Sequence, residues 1–365
     1  MEVAVVGAGI LGASVTYELS KLGVSVDLYD ADRPGGGTSG ATFSWLNSYS
    51  DDQIHYHELR RESISRYGEL LKELGASSLL HLDGSMHFST SDELREMQEA
   101  AYDRHVEWDY PVERISADQA QVLEPELDLT GVDVVYRYPE EGWVEAVPFV
   151  GSLIAAAKER GARVRYPARV VGLQLVNGRQ QLRLESGESA VYDSVVVASG
   201  ARSEEVAALA GVSLAVETVP GVLVQSRQIA SSLRHVVWAP GAHFRPDGGA
   251  RVMVGDGDFS SFGRFTQPEE VRARGSKAFE AAGRWLPALR SAPLDAIRVG
   301  VRPIPQDGLP LVGWSDPSGT LYALVSHGGI TLAPRLAQLC AREIASGNAE
   351  PKLEQYRPFR FGKGD

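Results

Sequence analysis

The sequence predicts a mixed α/β fold in which a Rossmann-type domain is interleaved with an antiparallel, β-rich second domain. Three observations carry this expectation. Residues Val3 to Asp30 read as one strand–turn–helix–strand unit. Two further strand-to-glycine turns, at Ser199-Gly200 and Gly328-Gly329, recur far along the chain. Between them, over 216–256, short apolar runs alternate with turn residues, the pattern of antiparallel strands. The distribution of these turns predicts one domain assembled from 1–85, 145–215 and 300–365, and a second from 86–144 and 216–299.

The opening unit is the most specific. An apolar strand, Val3 to Val6, meets Gly7-Ala8-Gly9-Ile10-Leu11-Gly12, and a helical stretch then runs to Leu22 and stops at Gly23. A second strand, Val24 to Tyr29, ends on Asp30, eighteen residues after Gly12. Gly7 suits a tight turn, Gly9 lets backbone N–H groups approach a pyrophosphate, and Gly12 allows the helix to pack closely on the strand. The helix N-terminus presents its dipole to the anion, and Asp30 can accept hydrogen bonds from a ribose. A bare GxGxxG is a weak signal; here the strand before it, the helix after it and the distal acid point together to a dinucleotide.

A glycine-rich loop, Arg33 to Gly40, follows and runs into Ala41-Thr42-Phe43-Ser44-Trp45. Helical spacing (Leu59, Tyr67, Leu70, Leu71, Leu74) predicts a helix over Asp52 to Leu74, closed by Gly75. Thr90 with Glu93 and Ser116 with Gln119 have the spacing of capping boxes for two more helices. Trp143 to Gly161 is predicted to be a helix returning to the first domain. Asn177-Gly178 predicts a two-residue hairpin between strands Val170–Val176 and Leu182–Glu185. Further strands are expected at Val195 to Ala198, Arg298 to Pro303 and Leu321 to Val325, with helices from Pro268 and from Thr331 to about Ser346.

The chain has 365 residues, 43% hydrophobic and 23% charged, as ordinary for a globular enzyme. A net charge of −12 gives no electrostatic footprint for nucleic acid. The single cysteine, Cys340, lies among Leu336, Leu339 and Ile344 and reads as a buried structural thiol, excluding an internal disulfide or a cysteine-based zinc site. Asp256 and Asp258 alternate like metal ligands but lack further ligands nearby, so a solvated turn is expected and no metal. No run of about 18 apolar residues suggests a membrane span, and the binding strand starts too early for a leader, so a cytoplasmic protein is expected, with homo-oligomerisation open.

Three separated blocks resemble one family. They are the opening unit with its Gly37-Thr38-Ser39 loop, the Asp193 to Ala201 strand, and Arg302-Pro303 with Asp307-Gly308-Leu309-Pro310 and His327-Gly328-Gly329-Ile330-Thr331. In this order and spacing the chain resembles the FAD-dependent amino-acid oxidase family, which includes D-amino acid oxidase, glycine oxidase and sarcosine oxidase. The resemblance spans nearly the whole chain and implies FAD. It places the pyrophosphate at Gly7, Gly9, Ile10, Leu11 and Gly12, and the adenosine ribose at Asp30 and Ala31. Arg33, Thr38 and Ser39 would lie near the phosphates, Thr42, Phe43 and Ser44 along the isoalloxazine, and Val170 at the adenine. Gly200 would lie beside the cofactor, and Gly328, Gly329, Ile330 and Thr331 at the pyrimidine edge of the flavin, where a helix N-terminus favours negative charge on the reduced ring. The sequence departs from the sarcosine oxidase branch twice. Gly300 to Gln306 contains no cysteine for a covalent flavin link, so non-covalent FAD is expected, and Met253 stands where that branch has an oxygen-activating lysine.

Arg302 is the leading substrate-binding candidate, because a guanidinium in an otherwise apolar strand offers a bidentate fork to a carboxylate; the alternative is a structural ion pair. His243 can face a substrate carboxylate or simply be solvated near the Asp247-Gly248-Gly249 turn, and Arg245 is equally open. His327 precedes the Gly328-Gly329 turn and can donate to the flavin or be a simple loop residue, and Trp45 is expected as a cavity wall or a structural aromatic. The resemblance implies oxidation of the C–N bond of an amino acid or secondary amine bearing a carboxylate, by hydride transfer to flavin N5 giving an imine, with oxygen or another electron acceptor. A 2-hydroxy-acid oxidase using His243 as base, and a flavin-binding protein without turnover, are the alternatives. An NAD dehydrogenase would leave the later glycine turns without a purpose.

Overall fold

β1 (Glu2–Val6) forms because Val3 to Val6 are all apolar and can be buried on both faces of a covered sheet. The structure is a computed structural model that describes residues 1–49, 53–256 and 268–361. β1 lies centrally in a six-stranded sheet, between Ser194–Val197 on one side and β2 (Ser25–Tyr29) on the other. Beyond β2 is Arg163–Arg165; beyond Ser194–Val197 come Leu321–Val325 and then Leu311–Trp314. All neighbours are parallel except that last pair. α1 (Ile10–Lys21), buried along Ile10 to Ser20, packs beside helices Ala146–Glu159 and Gly329–Ser346. Tyr17, Phe149, Leu336 and Cys340 meet in their shared core, and burial pushes the Cys340 thiol pKa up, as suits a structural thiol.

The second sheet has eight strands among the described residues. Its order is Leu294–Pro305, Val216–Ser226, Arg251–Asp256, Ala242–Asp247, Val236–Ala239, Ser85–Phe88, Val134–Tyr138 and Glu113–Ser116. Only Val236–Ala239 and Ser85–Phe88 run parallel; the other pairs are antiparallel. Helix Pro268–Trp285 covers the sheet, burying Ala278, Phe279, Ala282 and Trp285 against Val224, Phe244 and Val254. The expected fold class is thus observed: a parallel Rossmann-like sheet joined to an antiparallel one. Leu294–Pro305 runs across the expected boundary at residue 300 and pairs with Val216–Ser226 over its length.

The hairpin at Asn177-Gly178 is present, with both residues at positive φ (49° and 76°) as a type I′ turn requires, closed by the pair Val176 and Arg179. The Ser116–Gln119 capping box is also present, in helix Ala117–Leu123. Two local expectations are corrected. Trp143 is not helical: it lies in strand Gly142–Val144, paired with Trp45 and His81, and the helix starts only at Ala146. Its indole stacks on His81 at 3.9 Å, a non-local contact that outweighs the helical pattern behind it. The cap of helix Asp92–Glu107 is Ser91, whose hydroxyl accepts from Leu94 N, not Thr90. α2 (Ile54–Glu73) matches the predicted helix, and Asp52 lies outside the described residues.

The two sheets meet where the loop after β2 touches Leu294–Pro305. Thr38 Oγ1 donates to Val301 O, and a Cβ on Gly300 would lie 2.2 Å from Ala41 O. Gly300→Ala should therefore force the strand off the loop and cost about 1–3 kcal/mol. Gly68, exposed in α2 with nothing within 4 Å of its Cβ position, should respond oppositely. Gly68→Ala is expected to stabilise by about 0.5–1 kcal/mol through helix propensity. Urea unfolding midpoints of the two variants should move in opposite directions; a shared sign contradicts this account.

Candidate functional site

The carboxyl ends of four parallel strands open on one cavity of about 820 Å³. Such ends, with their glycine turns, are where open α/β sheets bind ligands. Gly7 follows β1 at φ +106°, and a Cβ there would lie 2.5 Å from Ala198 O. A Cβ on Gly12 would lie 1.8 Å from Gly7 O, so only glycine lets α1 start against the turn. Gly12 itself does not line the cavity; Gly9, Ile10 and Leu11 do. Ser39 Oγ accepts from Ile10 N at 3.0 Å. Asp30 fixes the turn from the end of β2, accepting from Ala8 N at 2.7 Å and from Asp32 N at 2.9 Å. Neither α1 nor Gly329–Ser346 carries an acid in its first turn, so both N-termini keep their positive dipole ends towards the cavity.

Most sequence-predicted residues come together here. Asp30, Ala31, Thr38, Ser39, Thr42, Phe43, Ser44 and Val170 line the same cavity as Gly200 and Gly328 to Thr331. Arg33 does not: it is exposed in the loop and is absent from the lining. Trp45 forms part of the wall as expected. Asp256 lines the cavity and pairs with Arg274 at 3.1 Å; Asp258 lies outside the described residues. Among the described residues no cluster could hold a metal ion.

The second sheet supplies the opposite wall through Pro220 to Leu223, His243 and Val299 to Pro303. Arg302 is half-buried there and its Nη2 donates to Pro220 O at 3.4 Å. Burial lowers its pKa, and the charge of Asp256 opposes that. His243 is not solvated: it is buried, with its ring edge-on to Phe43 at 4.3 Å. Burial, then the charges of Arg302 and Arg245, lower its pKa to about 3. His327 is exposed where it lines the cavity, yet is deep enough among protein atoms that dehydration, with Arg302 and Arg60, lowers its pKa to about 4. Arg245 is a structural ion. It is buried, donates to Phe43 O at 2.6 Å and Asp247 Oδ1 at 3.2 Å, and stacks 4.1 Å over Trp143.

Two residues went unnoticed in the sequence. Arg60 lines the cavity from α2 although it is buried. It falls on the buried stripe of that helix with Tyr56, Ser63 and Tyr67, so a basic residue at a core-facing position was the available signal. Glu141 is buried behind Trp45, accepting from Trp45 Nε1 at 3.0 Å, Ser85 Oγ at 2.6 Å and Tyr110 OH at 3.1 Å. Burial raises its pKa to about 7 against these donors. Nothing in the local sequence marks it.

The family model described as FAD dependent oxidoreductase matches residues 2–343. The chain belongs to that family. It is 28% identical to the glycine oxidase of Geobacillus kaustophilus (strain HTA426), covering 93% of this chain and 92% of the relative. It is 24% identical to an opine oxidase subunit of Agrobacterium tumefaciens (strain Ach5), over 99% and 98% of the two chains. A crystal structure of glycine oxidase from Geobacillus kaustophilus superposes with a TM-score of 0.87 at 24% identity, covering 98% of each chain. The cavity fits FAD: its glycine cradle excludes side chains where a pyrophosphate needs backbone, and its volume is in the upper part of the range of roughly 300–1,000 Å³ for small-molecule sites. No described helix is long and apolar enough to cross a membrane.

The buried histidines make stability pH-dependent. Burial, followed by nearby positive charge, lowers His87, His105 and His243 to about 3, about 4 and about 3 from an ordinary 6.5. The unfolded chain binds more protons between those values, so their contribution is complete above pH 6.5 and is lost as pH falls. Glu141, raised from 4.5 to about 7, acts oppositely: its contribution is complete below pH 4.5 and is lost as pH rises through 7. Three histidines outweigh one carboxyl, so acidification from pH 6.5 to 4.5 should destabilise the fold, by up to about 1.4 kcal/mol per pH unit for each histidine. Denaturation midpoints that rise across that interval contradict the assignment.

Proposed function

We propose that this FAD-dependent oxidoreductase oxidises the C–N bond of an amino acid or secondary amine that carries a carboxylate. The observation that carries the reading is Arg302, a half-buried guanidinium in a cavity whose opposite wall is the glycine cradle. A relative named glycine oxidase supports an amino-acid substrate. FAD, when bound, supplies the hydride-accepting chemistry. Arg302 binds the substrate carboxylate through a charge-assisted fork and so fixes the α-carbon relative to the cofactor. Phe43 and Trp45 give the cavity an aromatic wall. His243 and His327 stay neutral at pH 7, so they add no charge beside the arginine. With FAD bound, the amine would give up a hydride from carbon and a proton from nitrogen to become an imine, the electrons passing finally to oxygen or another acceptor. No side-chain base is required for an amine. A 2-hydroxy acid would need one, and an imidazole lowered to about 3 is a weak base at neutral pH.

In the same reading, residues 1–85, 145–215 and 300–365 bind FAD, and 86–144 and 216–299 form the substrate domain. Its support is that every strand of the parallel sheet lies in the first set. FAD is held non-covalently; Cys340, the single cysteine, is buried in helix Gly329–Ser346 and does not line the cavity.

Acid precipitation should release all the flavin as FAD, and yellow polypeptide in the pellet would refute the non-covalent assignment. An anaerobic screen of amino acids and N-methyl amino acids should identify a substrate by loss of oxidised flavin absorbance. With it, Arg302→Ala should weaken binding by about 2–5 kcal/mol, roughly 30- to several thousand-fold, while FAD stays bound. Arg302→Lys should recover only part of this. The decarboxylated amine should bind poorly to the parent and be little affected by Arg302→Ala. If the variant loses FAD instead, Arg302 is structural and the carboxylate assignment fails.

A further inference from the structure

Arg60 lines the cavity from α2 with 8% of its surface exposed, whereas Arg302 is carried by strand Leu294–Pro305 of the second sheet. The Arg60 guanidinium is tethered by neutral oxygens. Nε donates to Asn47 O at 2.8 Å, Nη2 to Asn47 Oδ1 at 2.5 Å, and Nη1 to Tyr56 OH at 3.1 Å. Among the described residues no carboxylate lies within ion-pairing distance of it. A guanidinium has five N–H donors, so one on each terminal nitrogen is left after these three bonds. Gly328 makes the approach possible: a Cβ there would lie 3.0 Å from Arg60 Nη1 and 2.8 Å from Tyr56 OH. The cation therefore sits against the turn that opens helix Gly329–Ser346, whose N-terminal residues Gly329 to Thr331 also line the cavity.

A buried cation without a counter-ion is costly, and leaving one in place is strongly destabilising unless an anion compensates it. Asn47 and Tyr56 hold the fork rigid but supply no charge. A helix N-terminus beside it has the same preference for negative charge. The electrostatic field is felt next door, because Arg60 and Arg302 both act on His327.

We propose that Arg60 binds an anionic oxygen at the end of the cavity beside Gly328, as a second anion-holding group apart from Arg302. Two sources share that chemistry: a second carboxylate on the substrate, and the pyrimidine-edge oxygen of the flavin once the ring carries negative charge. The inference rests on the cavity holding FAD and an anionic substrate.

The test uses the FAD-loaded full chain, reading flavin absorbance with three probes. Sulfite, which adds to oxidised flavin and leaves a negative charge on the ring, reports the flavin source. Malonate against acetate at equal ionic strength reports a second carboxylate. If the flavin is the source, Arg60→Gln raises the sulfite dissociation constant about tenfold or more; if the substrate is the source, it raises that of malonate about tenfold or more and spares acetate. Arg60→Lys should restore part of either loss. Values for all three probes within about twofold of the parent, with FAD retained, overturn the proposal. The parent gives a reading independent of whether a variant folds. It must bind malonate at least about tenfold more tightly than acetate or form a measurable sulfite adduct, and doing neither overturns the proposal. A parent that takes up no FAD defeats the reading of the cavity as a whole. A parent that takes up FAD and responds to Arg302→Ala, but not to Arg60→Gln, defeats the Arg60 proposal alone.

Discussion

Three pieces of backbone must come within van der Waals contact at one point: the turn after β1, the first turn of α1 just beyond it, and the sequence-distant end of Ser194–Val197. With 1.8 Å between Gly7 O and a Cβ on Gly12, and 2.5 Å between Ala198 O and one on Gly7, any side chain there would pry the segments apart. That contact brings the start of α1 onto the sheet, and α1 in turn packs against helices Ala146–Glu159 and Gly329–Ser346. The cavity is thus a by-product of close packing. Backbone N–H groups face it because no side chain can stand in front of them, and the positive ends of two helices are brought to the same space.

Three of the buried ionisable side chains, Arg245, Glu141 and Arg60, are accommodated in different ways. Arg245 is matched by Asp247 and by carbonyl oxygens, and fixes Phe43 from behind. Glu141 is surrounded by hydroxyl, indole and amide donors; burial still raises it to about 7, so it changes charge near neutrality. Arg60 has only neutral acceptors and meets the cavity. The first two anchor aromatic walls, since Phe43 and Trp45 take their positions from them. A low-dielectric wall strengthens whatever charge interactions occur in the space it encloses.

What the sequence made legible was local or strongly patterned. The Val3 to Asp30 unit, the Asn177-Gly178 turn and the Ser116–Gln119 box each encode their geometry within a few residues, and all are present. Cavity residues were legible where glycine turns or the family resemblance pointed, as at Thr42 to Ser44 and Gly328 to Thr331. Trp143 was misread because its strand exists only through Trp45 and His81, each more than sixty residues away. Glu141 could not be found, because its donors at Trp45, Ser85 and Tyr110 are spread across the chain. His243 is ambiguous in the sequence for a related reason: the nearby turn suggests water, while the ring is covered by Phe43 from another segment.

The contact of Thr38 and Ala41 with Gly300 and Val301 has a thermodynamic consequence. It ties the loop that borders the nucleotide cradle to the strand bearing Arg302, one residue beyond Val301. Free energy spent in settling that loop is shared with the strand. Were an anion to bind at Arg302, any effect of the nucleotide on its affinity would be matched by an equal effect of the anion on the nucleotide. Two ligands that need never touch would report on each other through a single glycine.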